Sequence, residues 1–355
     1  MVGEGMTTQP FFTIGVTTYN RRELLKQALA SILAQTFTDF EVIVGNDCTD
    51  EVLSGELLGI SDPRIRFVNH PRNLQELGNM NALLSMASGR YFTWLADDDF
   101  YVPDFLQTGH DLLVETGFPP GFFTSYRIVR GTDALPTKLL FQGPVRVLTG
   151  REFLGNYFSG RLKIISSYGL FDTSALRSIV GGMEELCSSA VGVYGEYLFL
   201  VKCALLGKIV YINAPFVLFR AHVGSWGGTN IDLDKYREAG PELVRRCGEV
   251  LRHPSLSDDL NRNLLGICRI HLYHYAGKLG LAGAFQGSFS IVSVFNLIGD
   301  FFSETARIHR SFVKAGGVGG LRSTISFEWI RYLYSVLMVG RIVVVKWLRK
   351  SSRHD

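Results

Sequence analysis

No two cysteines of this 355-residue chain form a CxxC pair: Cys48, Cys187, Cys203, Cys247 and Cys268 are odd in number and widely scattered. This excludes a disulfide framework and a cysteine zinc site, and reads as reduced thiols in a cytoplasmic protein. Charge is scarce as well, at 19% of residues with a formal balance of only +3. So small an excess gives no electrostatic case for nucleic acid as a partner. Met1 to Pro10 contain neither a basic stretch nor an apolar one, so no secretory signal is expected. Apolar residues are plentiful, at 46%, enough to bury a large core in one domain or in a domain with an appendage.

The stretch Arg90-Tyr91-Phe92-Thr93-Trp94-Leu95-Ala96-Asp97-Asp98-Asp99 organises the reading of the rest. Its apolar, aromatic and β-branched part predicts a buried strand, and the strand ends in adjacent acids that repel one another. Burying any of them without a partner is costly, so the triplet points to a cation. Oxygen donors of this kind select Mg²⁺ or Mn²⁺, held together with substrate phosphates. The alternative is a solvated acidic turn leading into a helix near Pro103.

Upstream, Phe11–Thr18 predicts a first strand, and Leu24, Leu25, Ala28, Leu29, Ile32 and Leu33 recur at helical spacing. Phe40–Gly45 predicts the next strand. A βαβ unit of this kind makes a parallel sheet, whose ligands sit beyond the carboxyl ends of its strands. The turns Thr17–Arg21 and Asn46–Asp50 therefore fall on the ligand edge. Ile65–Val68 predicts a third strand, and Gly78–Gly89 a helix closed by its last glycine. One edge so gathers Thr18, Asn20, Asp47, Asn79, Asn81 and the acids, although each Asn or Thr taken singly also reads as a turn or cap residue.

Four motifs then stand in order: Thr18-Tyr19-Asn20-Arg21; Gly45-Asn46-Asp47-Cys48-Thr49-Asp50; Asn79-x-Asn81 with Ala87-Ser88-Gly89-Arg90-Tyr91; and Ala96-Asp97-Asp98-Asp99 with Pro103. This series resembles family 2 glycosyltransferases of the GT-A fold, in particular bacterial O-antigen and polysaccharide sugar transferases. The resemblance implies an α/β fold with a mostly parallel central sheet flanked by helices, and a nucleotide-diphospho-sugar donor carrying UDP, GDP or dTDP. Thr18, Tyr19 and Asp47 would line the nucleoside pocket, and Asn20, Arg21, Asn79, Asn81 and Asp97 would also fall to donor binding. The acids would hold Mn²⁺ or Mg²⁺ on the diphosphate. One departure shifts that assignment: the first Asp of the family's D-x-D falls on Ala96, which leaves Asp98, with Asp97 or Asp99 beside it, as metal ligand.

In the second half, Phe122–Val129 and Ile164–Leu170 predict strands, and Gly195–Gly207 an apolar helix with an acid near its start. Lys208–Ile212 and Phe216–Ser225 follow, the latter containing Arg220-Ala221-His222. This resembles the family's acidic pair opening a helix, then a strand, then R-x-H. It implies Glu196 as general base, Arg220 as positive charge at the donor, and His222 in the metal shell or on the diphosphate. Gly195 replaces the first acid of the pair. Inverting glycosyl transfer needs such a carboxylate to take the acceptor hydroxyl's proton. Glu196 also reads simply as a helix N-terminal acid, and Glu184 and Glu185 are held in reserve as the base.

Three regions result: a GT-A catalytic domain over 1–230, a helical extension over 231–315, and 316–355 with a Gly-rich break and a basic amphipathic helix. In Phe327–Lys350, Glu328, Arg331, Ser335, Lys346 and Arg349 share one helical sector, while Trp329, Ile330, Leu333, Tyr334, Leu337 and Val345 spread over the rest. This predicts a helix lying in a membrane interface. Spanning is disfavoured because Arg331, Arg341 and Lys346 each cost ~2.5–3.5 kcal/mol near the bilayer centre. A core or dimer helix with a solvated basic edge is the other reading. The expectation is thus an inverting, metal-dependent sugar transferase, peripheral on the inner face of the cell membrane, acting on a lipid-linked or saccharide acceptor in surface polysaccharide synthesis, with oligomerisation left open. Its rivals are a sugar-1-phosphate nucleotidyltransferase, disfavoured by the lack of a Gly-rich phosphate loop after the first strand, and a non-catalytic sugar- or lipid-binding subunit of the same fold.

Overall fold

The computed structural model describes residues 9–130, 136–188, 192–222, 232–285 and 291–318, with side chains for all of these except 280–285 and 291–297. They fall into two units, Met1–Glu185 with Ala190–Ser225, and Leu186–Ser189 with Trp226–Asp355.

In the first unit the apolar runs become strands because their side chains are buried on both faces. Phe12, Ile14, Val16, Val42 and Val44 are all fully buried, as expected of a sheet covered by helices. Strands β1 (Phe12–Thr18), β2 (Phe40–Asn46), β3 (Ile65–Asn69) and β4 (Tyr91–Ala96) alternate with helices α1 (Arg22–Leu33), α2 (Gly55–Leu58) and α3 (Gln75–Met86). Next come β5 (Phe100–Tyr101), α4 (Phe105–Glu115), β6 (Gly121–Arg130), β7 (Val145–Thr149), α5 (Gly150–Phe158), β8 (Leu170–Asp172), α6 (Thr173–Ala175), α7 (Gly195–Cys203) and β9 (Lys208–Ala221). The strand order is β3-β2-β1-β4-β8-β6-β9-β5, with β7 on β9. The sheet is mixed: β1–β2, β1–β4, β2–β3 and β6–β9 are parallel, and the shorter ladders of β8, β5 and β7 are antiparallel.

The parallel part brings the ends of β1, β2 and β4 side by side, with Thr17 opposite both Gly45 and Ala96. The turns after these strands therefore open on one edge, the edge expected to bind ligand. Gly45 is required there, because a Cβ on it would lie 2.0 Å from Oδ1 of Asn79.

Two expectations are corrected. Ile164–Leu170 is not a strand: Ser166–Tyr168 form a 3₁₀ turn and β8 starts at Leu170. Lys208–Ile212 and Phe216 onward are one continuous strand, whose register on β6 slips where Ser125 faces Pro215. Proline has no N–H to give to a ladder, so the irregularity sits where it must. Helix α5 was also unread, although Thr149 and Glu152 form a complete capping box at its start.

The second unit is helical: α8 (Leu233–Leu251), α9 (Leu260–Phe285) and α10 (Ile291–Lys314). Its core holds a polar pair, His271 Nε2 to Glu304 Oε1 at 2.9 Å, both side chains almost wholly buried. Gly240 makes room for that imidazole, since a Cβ would come within 2.3 Å of its ring. Burial, aided by His271 and Lys278, pushes the neighbouring His274 down to about 4, so it is neutral at physiological pH. Among the described residues no helix is long and apolar enough to cross a membrane. The amphipathic segment Phe327–Lys350 lies outside the described residues.

Candidate active site

Each of the three acids after β4 meets different partners. Asp97 is buried and accepts from Thr18 Oγ1 at 2.7 Å and from Arg21 Nη1 at 3.3 Å. Asp98 is bracketed by Arg21 Nη1 and His222 Nε2, each 3.0 Å from Oδ2. Asp99 is buried, held by the Tyr168 hydroxyl on one oxygen and by the Arg220 backbone N–H, at 2.8 Å, on the other. Burial raises Asp97 to about 6, against the hydrogen bond from Thr18. Burial and then the charge of Asp98 raise Asp99 to about 7, against the bonds from Tyr168 and Arg220. Burial is the largest cause of both shifts, and a cation beside the cluster would oppose them.

Glu196 lies in the first turn of α7. Its Oε1 accepts from Ser167 Oγ at 2.6 Å, and its backbone carbonyl accepts from Ser166 Oγ at 2.9 Å. The side chain reaches solvent, yet protein crowds it. That crowding holds the carboxyl above the usual glutamate value, partly opposed by the Ser167 hydrogen bond and reinforced by the charge of Glu76. The 3₁₀ turn joins the halves of the site: Ser167 holds Glu196 and the next residue, Tyr168, holds Asp99.

Backbone strain gathers at the same place. Asn20, Gln75 and Tyr194 have φ of 52°, 63° and 65°, a region that costs non-glycine residues on the order of 1–3 kcal/mol. They stand one or two residues before Arg21, Glu76 and Glu196 respectively.

The remaining expected residues are placed as follows. Tyr19 is 56% exposed at the mouth of the strand edge. Asp47 is buried, and its Oδ1 accepts from the Leu74 N–H at 2.6 Å. Both amide ends of Asn79 serve the fold, on His70 at 3.0 Å and on the Gly45 carbonyl at 2.8 Å. Asn81 likewise clasps the Met183 backbone, donating at 2.9 Å and accepting at 2.8 Å. The Arg220 guanidinium lies over Phe100, 4.3 Å from the ring centroid, with Nη2 on Gln27 at 2.6 Å, so this residue meets the acids through its main chain. Of the reserve bases, Glu184 is paired with Lys202 at 2.8 Å and Glu185 is exposed.

For a divalent cation, no group of three His, Cys, Asp and Glu side chains among the described residues makes a metal site unaided. Asp98 and His222 nevertheless converge, whereas Asp97 and Asp99 already have fold partners on both oxygens. One carboxylate and one imidazole, completed by diphosphate oxygens and water, fit the way Mg²⁺ and Mn²⁺ are held in phosphate-transfer sites. Sequence reasoning missed Ser167, Tyr168 and Glu76. The first two were hidden inside a supposed strand, and nothing in the spacing of Glu76 ties it to the other acids.

Residues 13–138 match the model of glycosyl transferase family 2. A putative colanic acid biosynthesis glycosyl transferase, WcaA of Escherichia coli, is 31% identical over 101 residues, 28% of this chain and 36% of that protein. A GalNAc(5)-diNAcBac-PP-undecaprenol beta-1,3-glucosyltransferase of Campylobacter jejuni is 35% identical over 102 residues, 28% of this chain and 33% of its own length. The matched segment thus spans about a third of these relatives. In structure, residues 1–349 of TarS from S. aureus superpose with a TM-score of 0.59 at 16% identity, covering 92% of this chain and 89% of that one. The shared architecture is the GT-A fold.

Proposed function

From the match of residues 13–138 to glycosyl transferase family 2, we propose that this chain moves a sugar from a nucleotide-diphospho-sugar to an acceptor hydroxyl with inversion. The observation that carries this is the pairing of a cation-type end, Arg21–Asp98–His222, with a crowded, solvent-reachable carboxylate, Glu196, through the single turn Ser166–Tyr168. Thr18, Tyr19 and Asp47 bound the nucleoside end in this reading. The diphosphate lies against Arg21 and against Asp98 and His222, which would hold Mn²⁺ or Mg²⁺. When bound, such an ion offsets charge that builds on the leaving diphosphate.

Glu196 takes the proton of the acceptor hydroxyl as that oxygen attacks the anomeric carbon from the face opposite the diphosphate. The new C–O bond forms while the bond to the diphosphate oxygen breaks. Ser167 aims the carboxylate, and the raised affinity of Glu196 for a proton suits a base working near neutrality. The fold role of Asn79 and Asn81 is to brace the wall from which α3 faces the cleft. A panel of UDP-, GDP- and dTDP-sugars, assayed by calorimetry with Mn²⁺ and by product stereochemistry, tests the proposal. At least one sugar nucleotide should bind and yield an inverted product, and a retained configuration would refute inversion.

The acceptor is proposed to be a lipid-linked saccharide, as in the undecaprenol-linked substrate named for the Campylobacter relative, with this chain on the inner membrane face. The sequence support is the basic and apolar partition of Phe327–Lys350. In liposome co-sedimentation the full chain should bind anionic vesicles and a chain ending at 326 should not. Each basic residue contributes ~1 kcal/mol at an anionic surface, so salt should loosen binding without abolishing it. Equal pelleting of the two forms would remove this support.

A further inference from the structure

Glu76 follows Gln75, whose left-handed backbone turns the chain into α3. Its Oε2 accepts from the Gly192 N–H at 3.2 Å, and the side chain is exposed. Its neighbour Leu77 packs where Gly192 and Gly195 have no side chain: a Cβ on Gly192 would lie 2.6 Å from Leu77, and one on Gly195 3.1 Å from the Glu184 carbonyl. A side chain at 195 would be tightly hemmed in, and a second carboxylate near Glu196 comes from α3 instead. Glu76 is near enough to Asp98 and Arg21, and to Glu196, for their charges to act on one another. Protein crowding around the solvent-reaching side chain raises its carboxyl, as it does that of Glu196.

Those neighbours define where the group sits relative to the reaction. In glycosyl transfer the anomeric carbon must lie between the leaving diphosphate and the attacking oxygen, that is, between the Arg21–Asp98–His222 end and Glu196. A side chain that senses both ends lines the space left for the sugar ring. We propose that Glu76 selects the transferred sugar, its carboxylate accepting hydrogen bonds from ring hydroxyls of the donor. This rests on the glycosyl-transfer reading above. It assigns Glu76 neither to the nucleotide nor to the proton transfer, and so separates three jobs among carboxylates that share one cleft.

The test compares, in Mn²⁺, the affinity of wild type, Glu76→Gln and Glu76→Ala for UDP-, GDP- and dTDP-sugars and for the free nucleoside diphosphates. Thermal unfolding serves as a control for folding. A hydrogen bond to a charged group is worth enough to change affinity roughly 10- to 100-fold. The alanine variant should lose that much for the sugar nucleotide bound by wild type, the glutamine variant less, and both should bind the matching diphosphate as wild type does. Sugars that differ in one ring hydroxyl should be discriminated less well by the variants. If diphosphate and sugar nucleotide weaken together, or neither weakens, the inference is overturned while the transferase reading stands. A wild type that binds diphosphates but no sugar nucleotide overturns both.

Discussion

Glu196→Gln should lower kcat by roughly 10²–10⁴, the usual worth of general-base assistance, with donor affinity close to wild type. The amide keeps the shape and can still meet Ser167 Oγ, but it cannot take a proton. Two further readouts separate a base from a helix-start acid. Because crowding holds the Glu196 carboxyl above its ordinary 4.5, the base becomes active only as pH rises through that raised value. The acidic limb of kcat/KM should therefore stand above the normal carboxylate range. Ser167→Ala should move it higher still, since the serine hydrogen bond opposes the shift. The second readout is stability. A carboxyl that holds its proton more tightly when folded contributes stability fully below 4.5 and loses it as pH rises through the folded value. Glu196→Gln has no such loss, so its melting temperature should exceed that of wild type at pH 8 and converge with it in acid. A variant that keeps most of its turnover moves the base elsewhere, with Glu185 next in line because Glu184 is tied to Lys202.

Asp98→Ala should abolish Mn²⁺-dependent donor binding while the fold persists. Asp98 is the acid whose partners are the part-exposed side chains of Arg21 and His222, and it is less buried than its neighbours. A hydrogen bond to a charged group alone is worth ~1.5–3 kcal/mol, so loss of the ligand with its cation should weaken binding by roughly 100-fold or more. The substitution also removes a charge that raises both Asp97 and Asp99, so the apo protein should be no less stable than wild type near neutral pH. Calorimetry with and without Mn²⁺ checks the first expectation and thermal unfolding the second. Unchanged donor affinity in Mn²⁺ would sink the metal assignment to Asp98.

By itself the sequence determined the N-terminal half of this protein in some detail. Phe12–Thr18, Phe40–Asn46 and Tyr91–Ala96 were legible as strands because both faces of a parallel sheet are buried there, so each run is largely apolar and ends sharply at polar turns; Ile65–Asn69, at the sheet edge, is only half-buried. The same sharp ends marked the ligand edge and its acids, and helical spacing marked α1; for α3 the sequence points to a close at Gly89, whereas the helix ends at Met86 with Ala87 in extended conformation. The short antiparallel pieces were not legible: β8 and β5 pair through only two residues each with their neighbours, too few for any periodicity. What each polar residue does was decided by tertiary structure alone. Asn79 and Asn81 look like ligand-edge residues in the chain, yet their amides close on Gly45, His70 and Met183. Arg220 offers its N–H, not its guanidinium, to Asp99. Ser167, Tyr168 and Glu76 join the cleft only because distant segments fold over one another, and local sequence patterns carry no trace of a partner that lies far along the chain. Hydrophobic periodicity reports which face of an element is buried; it cannot report which lone pair finds which proton.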